Sequence, residues 1–302
     1  MQPVWGIDLG GTKIEGVILK NGQEVEVLHR LRVPTEKEKG YDHIISQIQA
    51  LITQLKSVSG LSPERIGIGT PGTIDPHSGL MKNSNTTCLN NRPFRDDVEK
   101  YLGIPIKMAN DANCFAIAEA KLGAVQEHLP TAQLVFGVIM GTGVGGGIVF
   151  DGKVWNGGQG IAGEWGHSFL DNSGGDCYCG DVGCTETIIA GPALERYYQA
   201  LSGQHLSLRE ITERHKAGTD TAASQTIDRL LHFFAKGISN IINVLDPDVI
   251  VLGGGVGNID LLYTEGVARI QPFIFNKEVN TLFLKPKLGD SAGVFGAALL
   301  VS

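Results

Sequence analysis

The sequence predicts an α/β protein built from two lobes that share one core topology. Short apolar segments with β character alternate with segments whose apolar residues recur at helical spacing. In addition, Gly6–Leu19 aligns without a gap with Gly137–Phe150, and three glycines and the flanking apolar residues coincide. A repeated strand–glycine turn–strand unit indicates two lobes with the same core.

Composition limits the classes of protein to consider. The 302 residues are 42% hydrophobic and 19% charged, which is ordinary for a globular chain. Such a length suits one large domain or two lobes of roughly 100–150 residues each. The net charge of -7, without a basic run, argues against nucleic acid and anionic lipid as partners. Because no signal-like start and no apolar run of about 20 residues is present, we expect a cytoplasmic protein with no membrane partner.

The order of the elements follows from turn signals and periodicity. We predict strands at Val4–Leu9, Ile14–Leu19, Glu24–Arg32, Ile66–Gly69, Ile104–Met108 and Asp248–Leu252, with a hairpin turn at Asn21-Gly22. Apolar spacing predicts helices at Tyr41–Ser57, Phe94–Leu102, Asp111–Leu122, Gly191–Ser202, Ser207–Lys216, Ala222–Leu245 and Ser291–Leu300.

Two glycine turns are candidate phosphate sites. The first contains Asp8, Gly10, Gly11, Thr12 and Lys13, and the second contains Gly141, Thr142 and Gly143. Glycines let backbone N–H groups face a phosphate, while a preceding carboxylate can hold Mg²⁺. Alone, the first turn could equally be a tight β-turn with a solvated lysine. The second copy favours a pair of turns that hold a triphosphate across a cleft.

Gly141–Gly146 also matches the letters of the dinucleotide-binding fingerprint. That motif must open a helix directly after its strand. Here Ile148–Phe150 continues as a strand, so the pattern does not favour a nicotinamide cofactor.

Asn110 and Asp111 lie where a predicted strand meets a predicted helix. Phosphoryl transfer to an alcohol needs a carboxylate within reach of the attacking hydroxyl. Asp111 suits that role, and Asn110 could orient a sugar. An asparagine or aspartate before a helix is also a common N-cap, so the residue types alone do not decide.

A histidine and three cysteines form a candidate metal site. Nine residues separate His167 from Cys177, one separates Cys177 from Cys179, and four separate Cys179 from Cys184. Three thiolates and an imidazole suit a closed tetrahedral Zn²⁺ site, although buried thiols are the simpler alternative.

Glu164 and Glu186 lie on either side of these ligands in the sequence. They are either solvated surface acids or acceptors for sugar hydroxyls that the metal loop positions. One ring nitrogen of His167 could bind Zn²⁺ while the other contacts a sugar hydroxyl. Because the glycine turns lie elsewhere in the sequence, we expect loss of zinc to weaken sugar binding more than nucleotide binding.

Together these motifs resemble the ROK family of bacterial sugar kinases and repressors. The matching stretches keep the family's order and span nearly the whole chain: Asp8–Lys13, Gly69–Gly72, Asn110–Asn113, Gly141–Gly147, Gly163–His167, Cys177–Glu186 and Asp246–Gly255. The resemblance implies an actin-like (ribonuclease H-like) two-lobed fold with ATP in the cleft between the lobes. The implied N-terminal lobe is residues 1–118 completed by 289–302, and the C-terminal lobe is 119–288 with the zinc loop.

The resemblance also implies roles for individual residues. Asp111 is similar to the base that takes the proton of the sugar 6-hydroxyl, with ATP and Mg²⁺ as further requirements. Implied sugar contacts are Asn85, Asn110, Glu164, His167 and Glu186, and the implied ligands of a structural Zn²⁺ are His167, Cys177, Cys179 and Cys184. The two glycine turns are implied to hold phosphates, while Gly253, Gly254 and Gly255 are implied to form part of the adenosine floor. A homodimer is implied as well.

The segment Lys82–Phe94 is most similar to bacterial fructokinases and mannokinases. We therefore expect an ATP-dependent kinase acting on the 6-hydroxyl of fructose, with mannose or glucose as further candidates. An N-acetylglucosamine kinase of the same family is the alternative substrate class. A non-catalytic sugar sensor or repressor is an alternative of another class; only seven residues precede Asp8, which leaves no room for a helix-turn-helix.

Overall fold

A computed structural model describes residues 2–21 and 25–302. Its strands are β1 Val4–Leu9, β2 Lys13–Leu19, β3 Val27–Pro34, β4 Ile66–Thr70, β5 Thr73–Ile74, β6 Met81–Lys82, β7 Ile106–Asn110, β8 Leu134–Met140, β9 Val144–Phe150, β10 Lys153–Val154, β11 Val249–Gly253 and β12 Leu282–Leu284. Its helices are α1 Tyr41–Ser59, α2 Phe94–Leu102, α3 Asp111–Lys121, α4 Ala124–His128, α5 Glu186–Ile189, α6 Gly191–Ser202, α7 Leu208–Ala217, α8 Thr221–Leu245, α9 Gly254–Gly257, α10 Glu265–Ala268 and α11 Ala292–Leu299.

These bounds differ from the sequence-based ones in a few places. The strand expected at Ile104–Met108 begins two residues later, at Ile106, because Pro105 has no N–H to give to a ladder. The strand expected from Glu24 begins at Val27, and both Glu24 and the turn residue Gly22 lie outside the described residues.

The chain forms two compact units. Unit 1 comprises the residues up to Pro130, Gly147–Ala162 and Lys287–Ser302, and unit 2 comprises Thr131–Gly146 and Gly163–Pro286. Residue 118, the expected boundary between the lobes, lies inside α3, and a division into lobes at that residue stays a prediction. Within unit 1, the N–H of Ile148 donates to Oδ1 of Asn113 on α3 at 3.1 Å, so β9 contacts this helix.

Unit 1 is built on a five-stranded sheet of order β3-β2-β1-β4-β7. β1 and β2 form an antiparallel hairpin, whereas β1, β4 and β7 run parallel. The apolar stripe of α1 covers this sheet. Besides Tyr41, its buried residues recur at helical spacing: Ile44, Ile45, Ile48, Leu51, Ile52 and Leu55. The helix ends at Gly60, whose φ of 68° suits a left-handed cap.

α11 packs closely against the same sheet and against α3. A Cβ on Gly296 would collide with the backbone oxygen of Cys114, and one on Gly67 would collide with that of Ala297. Glycines at these two positions therefore allow the helix backbone to approach β4 and α3 directly. This packing fixes the elements that surround Asp8 and Asp111.

The second sheet repeats the topology of the first. Its order is β10-β9-β8-β11-β12, in which β8, β11 and β12 run parallel. In each sheet, a strand pair joined by a short glycine turn is extended on one side by a third strand and on the other by two parallel strands. The internal repeat and the α/β class predicted from the sequence are thus confirmed.

The helices of unit 2 begin and end at recognisable caps. Asp220 accepts a hydrogen bond from the N–H of Ala223 at the start of α8, and Ser207 and Glu210 form a capping box at the start of α7. Within the described residues, no helix combines the length and apolar character that a membrane span requires.

Candidate active site

Two carboxylates of unit 1 lie at the carboxyl ends of parallel strands. Asp8 is near the end of β1, and Asp111 begins α3 directly after β7. Burial and then the negative charge of Asp111 raise the pKa of Asp8 to about 6, with a further contribution from Glu15. The Asp8 carboxylate has room because a Cβ on Gly293 of α11 would lie only 3.1 Å from its Oδ2. Two crowded carboxylates of this kind fit an Mg²⁺ ion, which would relieve their repulsion.

Asp111 remains open to solvent although protein surrounds it on most sides. Burial raises its pKa, and a hydrogen bond from the N–H of Ala112, 2.8 Å from Oδ1, acts in the opposite direction. The result is a carboxylate that can still take a proton from a bound group.

Asn110 caps α3, which is the alternative that its residue type left open. Its Oδ1 accepts from the N–H of Asn113 at 2.8 Å. Only the amide nitrogen of Asn110 is left to donate to a ligand, so its expected role in orienting a sugar stays a prediction. Asn85 is exposed in the loop after β6, and its role stays a prediction too.

The first glycine turn is fixed by Thr35, which sequence reasoning missed. The hydroxyl of Thr35 donates to the oxygen of Gly10 at 2.7 Å, and its N–H donates to the oxygen of Thr12 at 3.0 Å. Within the described residues, the N–H groups of Gly11 and Thr12 make no backbone hydrogen bond. The turn therefore offers two N–H donors to an anion. No local motif marks Thr35, because its contacts join segments some 25 residues apart.

The lysine over this turn is not the one that the motif suggests. Nζ of Lys13 lies 3.8 Å from Oε2 of the buried Glu15. By contrast, a Cβ built on Gly11 would lie 3.7 Å from Nζ of Lys37, so it is Lys37 whose amine lies near the turn. The expected cofactor-binding role of Lys13 stays a prediction.

The second glycine turn is held by the segment that follows the cysteines. Oε2 of Glu186 accepts from the N–H of Val144 at 2.9 Å, and the N–H of Gly191 donates to the oxygen of Gly141 at 2.8 Å. A side chain at Gly143 would collide with the Glu186 carboxylate. Glu186, expected to contact a sugar, thus also holds the turn that contains Thr142.

The glycines after β11 make a close turn into α9. Gly254 has a φ of 81°, and a Cβ on it would collide with the oxygen of Met140, so only glycine fits. Gly253 and Gly255 lie on either side of it. Their implied contact with adenosine stays a prediction.

The predicted metal ligands come together in unit 2. The ligand atoms of His167, Cys177, Cys179 and Cys184 all lie within 4.8 Å of one another. Sγ of Cys179 is 3.6 Å from Sγ of Cys184, and Zn–S bonds of about 2.3 Å separate two sulfurs by roughly 3.8 Å. Cys179 is exposed, which plain core thiols would not require. These four residues fit a structural Zn²⁺ ion.

His167 presents its two ring nitrogens to different partners. Nδ1 lies 3.6 Å from Sγ of Cys177, whereas Nε2 lies 2.9 Å from the hydroxyl oxygen of Tyr178. The nitrogen expected to contact a sugar therefore has a protein partner that sequence reasoning missed. Glu164 directly precedes the short helical turn Trp165–His167 and is therefore three residues from this histidine in the sequence.

Glu186 follows Cys184 by two residues and binds the N–H of Val144, so it connects the metal loop to the second glycine turn. Loss of the metal is therefore expected to weaken nucleotide binding as well as sugar binding. We predict that Glu186→Ala weakens binding of a non-hydrolysable ATP analogue about tenfold or more, because a hydrogen bond to a charged group contributes about 1.5–3 kcal/mol. Calorimetric titration measures this affinity.

Glu195→Ala is the matched control, because Oε1 of Glu195 also accepts a backbone N–H in unit 2, that of Leu208 at 2.8 Å, but far from the turn in sequence. Glu186→Gln keeps an acceptor oxygen and should lose less affinity than Glu186→Ala. An unchanged nucleotide affinity in Glu186→Ala would show that the turn does not depend on this carboxylate.

Comparison with known proteins agrees with this geometry. The model of the ROK family matches residues 4–302. The chain is 36% identical over 308 residues to an N-acetyl-D-glucosamine kinase of Pasteurella multocida, covering 98% of both chains. Among solved structures, a ROK hexokinase from Thermus thermophilus matches with a TM-score of 0.86 and 33% identity over 99% of this chain and 97% of that one. A ROK glucokinase from Streptomyces griseus, solved with glucose and AMPPNP, matches with a TM-score of 0.75 and 27% identity over 98% of each chain. The chain belongs to the ROK family and has the two-lobed α/β fold of its sugar kinases.

Proposed function

We propose that this sugar kinase transfers the γ-phosphate of ATP to the 6-hydroxyl of N-acetylglucosamine. The observation that carries the reaction type is Asp111, a carboxylate with a raised pKa at the start of α3 and electrostatically coupled to Asp8. The N–H groups of Gly11 and Thr12 in the first glycine turn support phosphate binding.

The relatives support N-acetylglucosamine as the substrate. The relative of Pasteurella multocida and one of Haemophilus influenzae, each 36% identical over 98% of this chain, are both named N-acetyl-D-glucosamine kinase. The resemblance of Lys82–Phe94 to fructokinases led instead to the expectation of fructose. The comparisons favour the alternative substrate class over that expectation.

In this mechanism Asp111 accepts the proton of the attacking hydroxyl. A general base works best when its pKa lies near the working pH, so the raised pKa of Asp111 makes it a stronger base than an ordinary aspartate. The same shift means that activity declines as pH falls and Asp111 becomes protonated. An Mg²⁺ ion held near Asp8 would neutralise the charge of the phosphate oxygens. The N–H groups of Gly11 and Thr12 would bind the phosphate itself.

Replacement of the base tests the reaction type. We predict that Asp111→Asn lowers kcat about 10²–10⁴-fold, because the amide keeps the shape of the side chain but cannot take a proton. Sugar affinity should change little. Steady-state kinetics with ADP release measure kcat, and Asp96→Asn, at an exposed carboxylate of α2, is the control. A variant that keeps a tenth of the wild-type kcat would exclude Asp111 as the base.

A panel of hexoses tests the substrate. We predict that kcat/KM for N-acetylglucosamine exceeds kcat/KM for fructose, mannose and glucose, in the same assay with Mg²⁺ and ATP. The 6-deoxy analogue should bind without being phosphorylated. A higher kcat/KM for fructose would restore the expectation drawn from Lys82–Phe94. No ADP release with any hexose would instead favour a non-catalytic sugar sensor.

A further inference from the structure

Lys37 places an amine at the first glycine turn of unit 1. A Cβ built on Gly11 would lie 3.7 Å from Nζ of Lys37. Among the described residues, and leaving aside the chain neighbours of Gly11, no other heavy atom lies within 4 Å of that point. The amine therefore borders space at the turn that is otherwise open.

The acid closest to Lys37 in the sequence is occupied by other groups. Oε1 of Glu36 lies 2.7 Å from Nζ of Lys39, and Oε2 lies 2.8 Å from Nε2 of His43. In the part of the chain that the structure describes, the Lys37 amine itself forms no ion pair and no hydrogen bond. The short helical turn Lys37–Lys39 thus contains one paired lysine and one unpaired lysine.

The backbone of Lys37 is held together with the turn. Two residues earlier, the buried Thr35 donates from its hydroxyl to the oxygen of Gly10 at 2.7 Å and from its N–H to the oxygen of Thr12 at 3.0 Å. On the other side, the oxygen of Lys37 accepts from the N–H of Gly40 at 3.1 Å, directly before α1. The start of the lysine side chain is therefore fixed relative to the turn.

The groups at this turn complement one another for an anion. The unbonded N–H groups of Gly11 and Thr12 are neutral donors. An ammonium group adds a full positive charge and up to three further donors. Asp8, close before the turn in the sequence, contributes negative charge that opposes an approaching phosphate, so a cation at this place offsets that repulsion.

We propose that Lys37 binds the nucleotide, with its amine donating to an oxygen of a phosphate that the N–H groups of Gly11 and Thr12 also contact. This proposal rests on the proposed kinase function, which makes ATP the anion. The lysine of the motif, Lys13, lies instead 3.8 Å from Oε2 of the buried Glu15. Because Lys37 is exposed and long, its amine can follow a phosphate while its backbone stays in place.

Replacing the amine by an apolar group of similar length tests the proposal. In Lys37→Met we expect the dissociation constant of AMPPNP, measured by calorimetry, to rise about tenfold, the lower end for a charged hydrogen bond because water screens the exposed amine. Affinity for adenosine should stay unchanged, since it has no phosphate. KM for ATP should rise in parallel while KM for the sugar stays constant. Lys37→Arg keeps the charge and should recover most of the affinity.

Lys39→Met is the matched control, because this lysine lies in the same helical turn but pairs with Glu36. Its affinity for AMPPNP should equal that of the wild type. Added KCl should weaken AMPPNP binding less in Lys37→Met than in the wild type, because one charge that salt screens has been removed.

Three outcomes would overturn the proposal: an unchanged AMPPNP affinity in Lys37→Met, an equal loss of AMPPNP and adenosine affinity, or an equal loss in Lys39→Met. The last two would show that the substitution disturbs the turn rather than removing a phosphate contact, and a thermal melt of each variant detects general unfolding. The proposed function has a separate readout, since it fails if the wild-type protein phosphorylates no hexose.

Discussion

The crowding of Asp8 and Asp111 is the constraint on which the rest of unit 1 depends. Parallel strands bring their carboxyl ends to one edge of the sheet, so Asp8 near the end of β1 and Asp111 directly after β7 come close together. Burial beside a second negative charge raises the pKa of Asp8 to about 6. Such a pair is unfavourable in a folded protein without a cation, and proteins retain such arrangements where they serve a reaction. Gly293 of α11 leaves space for the Asp8 carboxylate. Gly67 of β4 lets the backbone of α11 lie close to the sheet.

The two glycine turns proposed to bind phosphate are each held by contacts from distant segments. Thr35 fixes the carbonyl groups of the first turn, and Glu186 fixes an N–H of the second. Glycines allow the backbone conformations of these turns, but a flexible turn would lose conformational entropy when a ligand orders it. The distant hydrogen bonds hold the turns in one conformation before a ligand arrives. In unit 2 the same carboxylate belongs to the segment after Cys184, so the metal loop contributes to the order of the second turn.

Much of the fold was predictable from the sequence. Helical spacing gave α1, α6 and α8 to within two residues at either end, and the repeat of Gly6–Leu19 predicted the matching sheet orders. The spacing of His167 and the cysteines predicted a cluster that the structure brings together. These successes share a cause: the information lies in local patterns, where periodicity and turn residues act over a few positions.

The parts that sequence reasoning missed depend on contacts between distant segments. Thr35, Lys37 and Tyr178 carry no motif, and each acquires its position only when separate segments meet. Gly147–Ala162 likewise belongs to unit 1 through contacts between distant segments, such as that of Ile148 with Asn113. Sequence reasoning also could not decide between two roles that suit the same side chain. Asn110 could cap a helix or contact a ligand, and the structure shows that it caps α3.

The most direct test of this account is a carboxyl ¹³C NMR titration of Asp8 without Mg²⁺. The account predicts that Asp8 titrates near pH 6 in the wild-type protein, and at a clearly lower pH in Asp111→Asn, because the neighbouring negative charge is gone. It also predicts that added Mg²⁺ lowers the apparent pKa of Asp8 in the wild type. A wild-type Asp8 that titrates near pH 4, or a pKa that does not respond to Asp111→Asn, would contradict the claim that these two carboxylates form one coupled site.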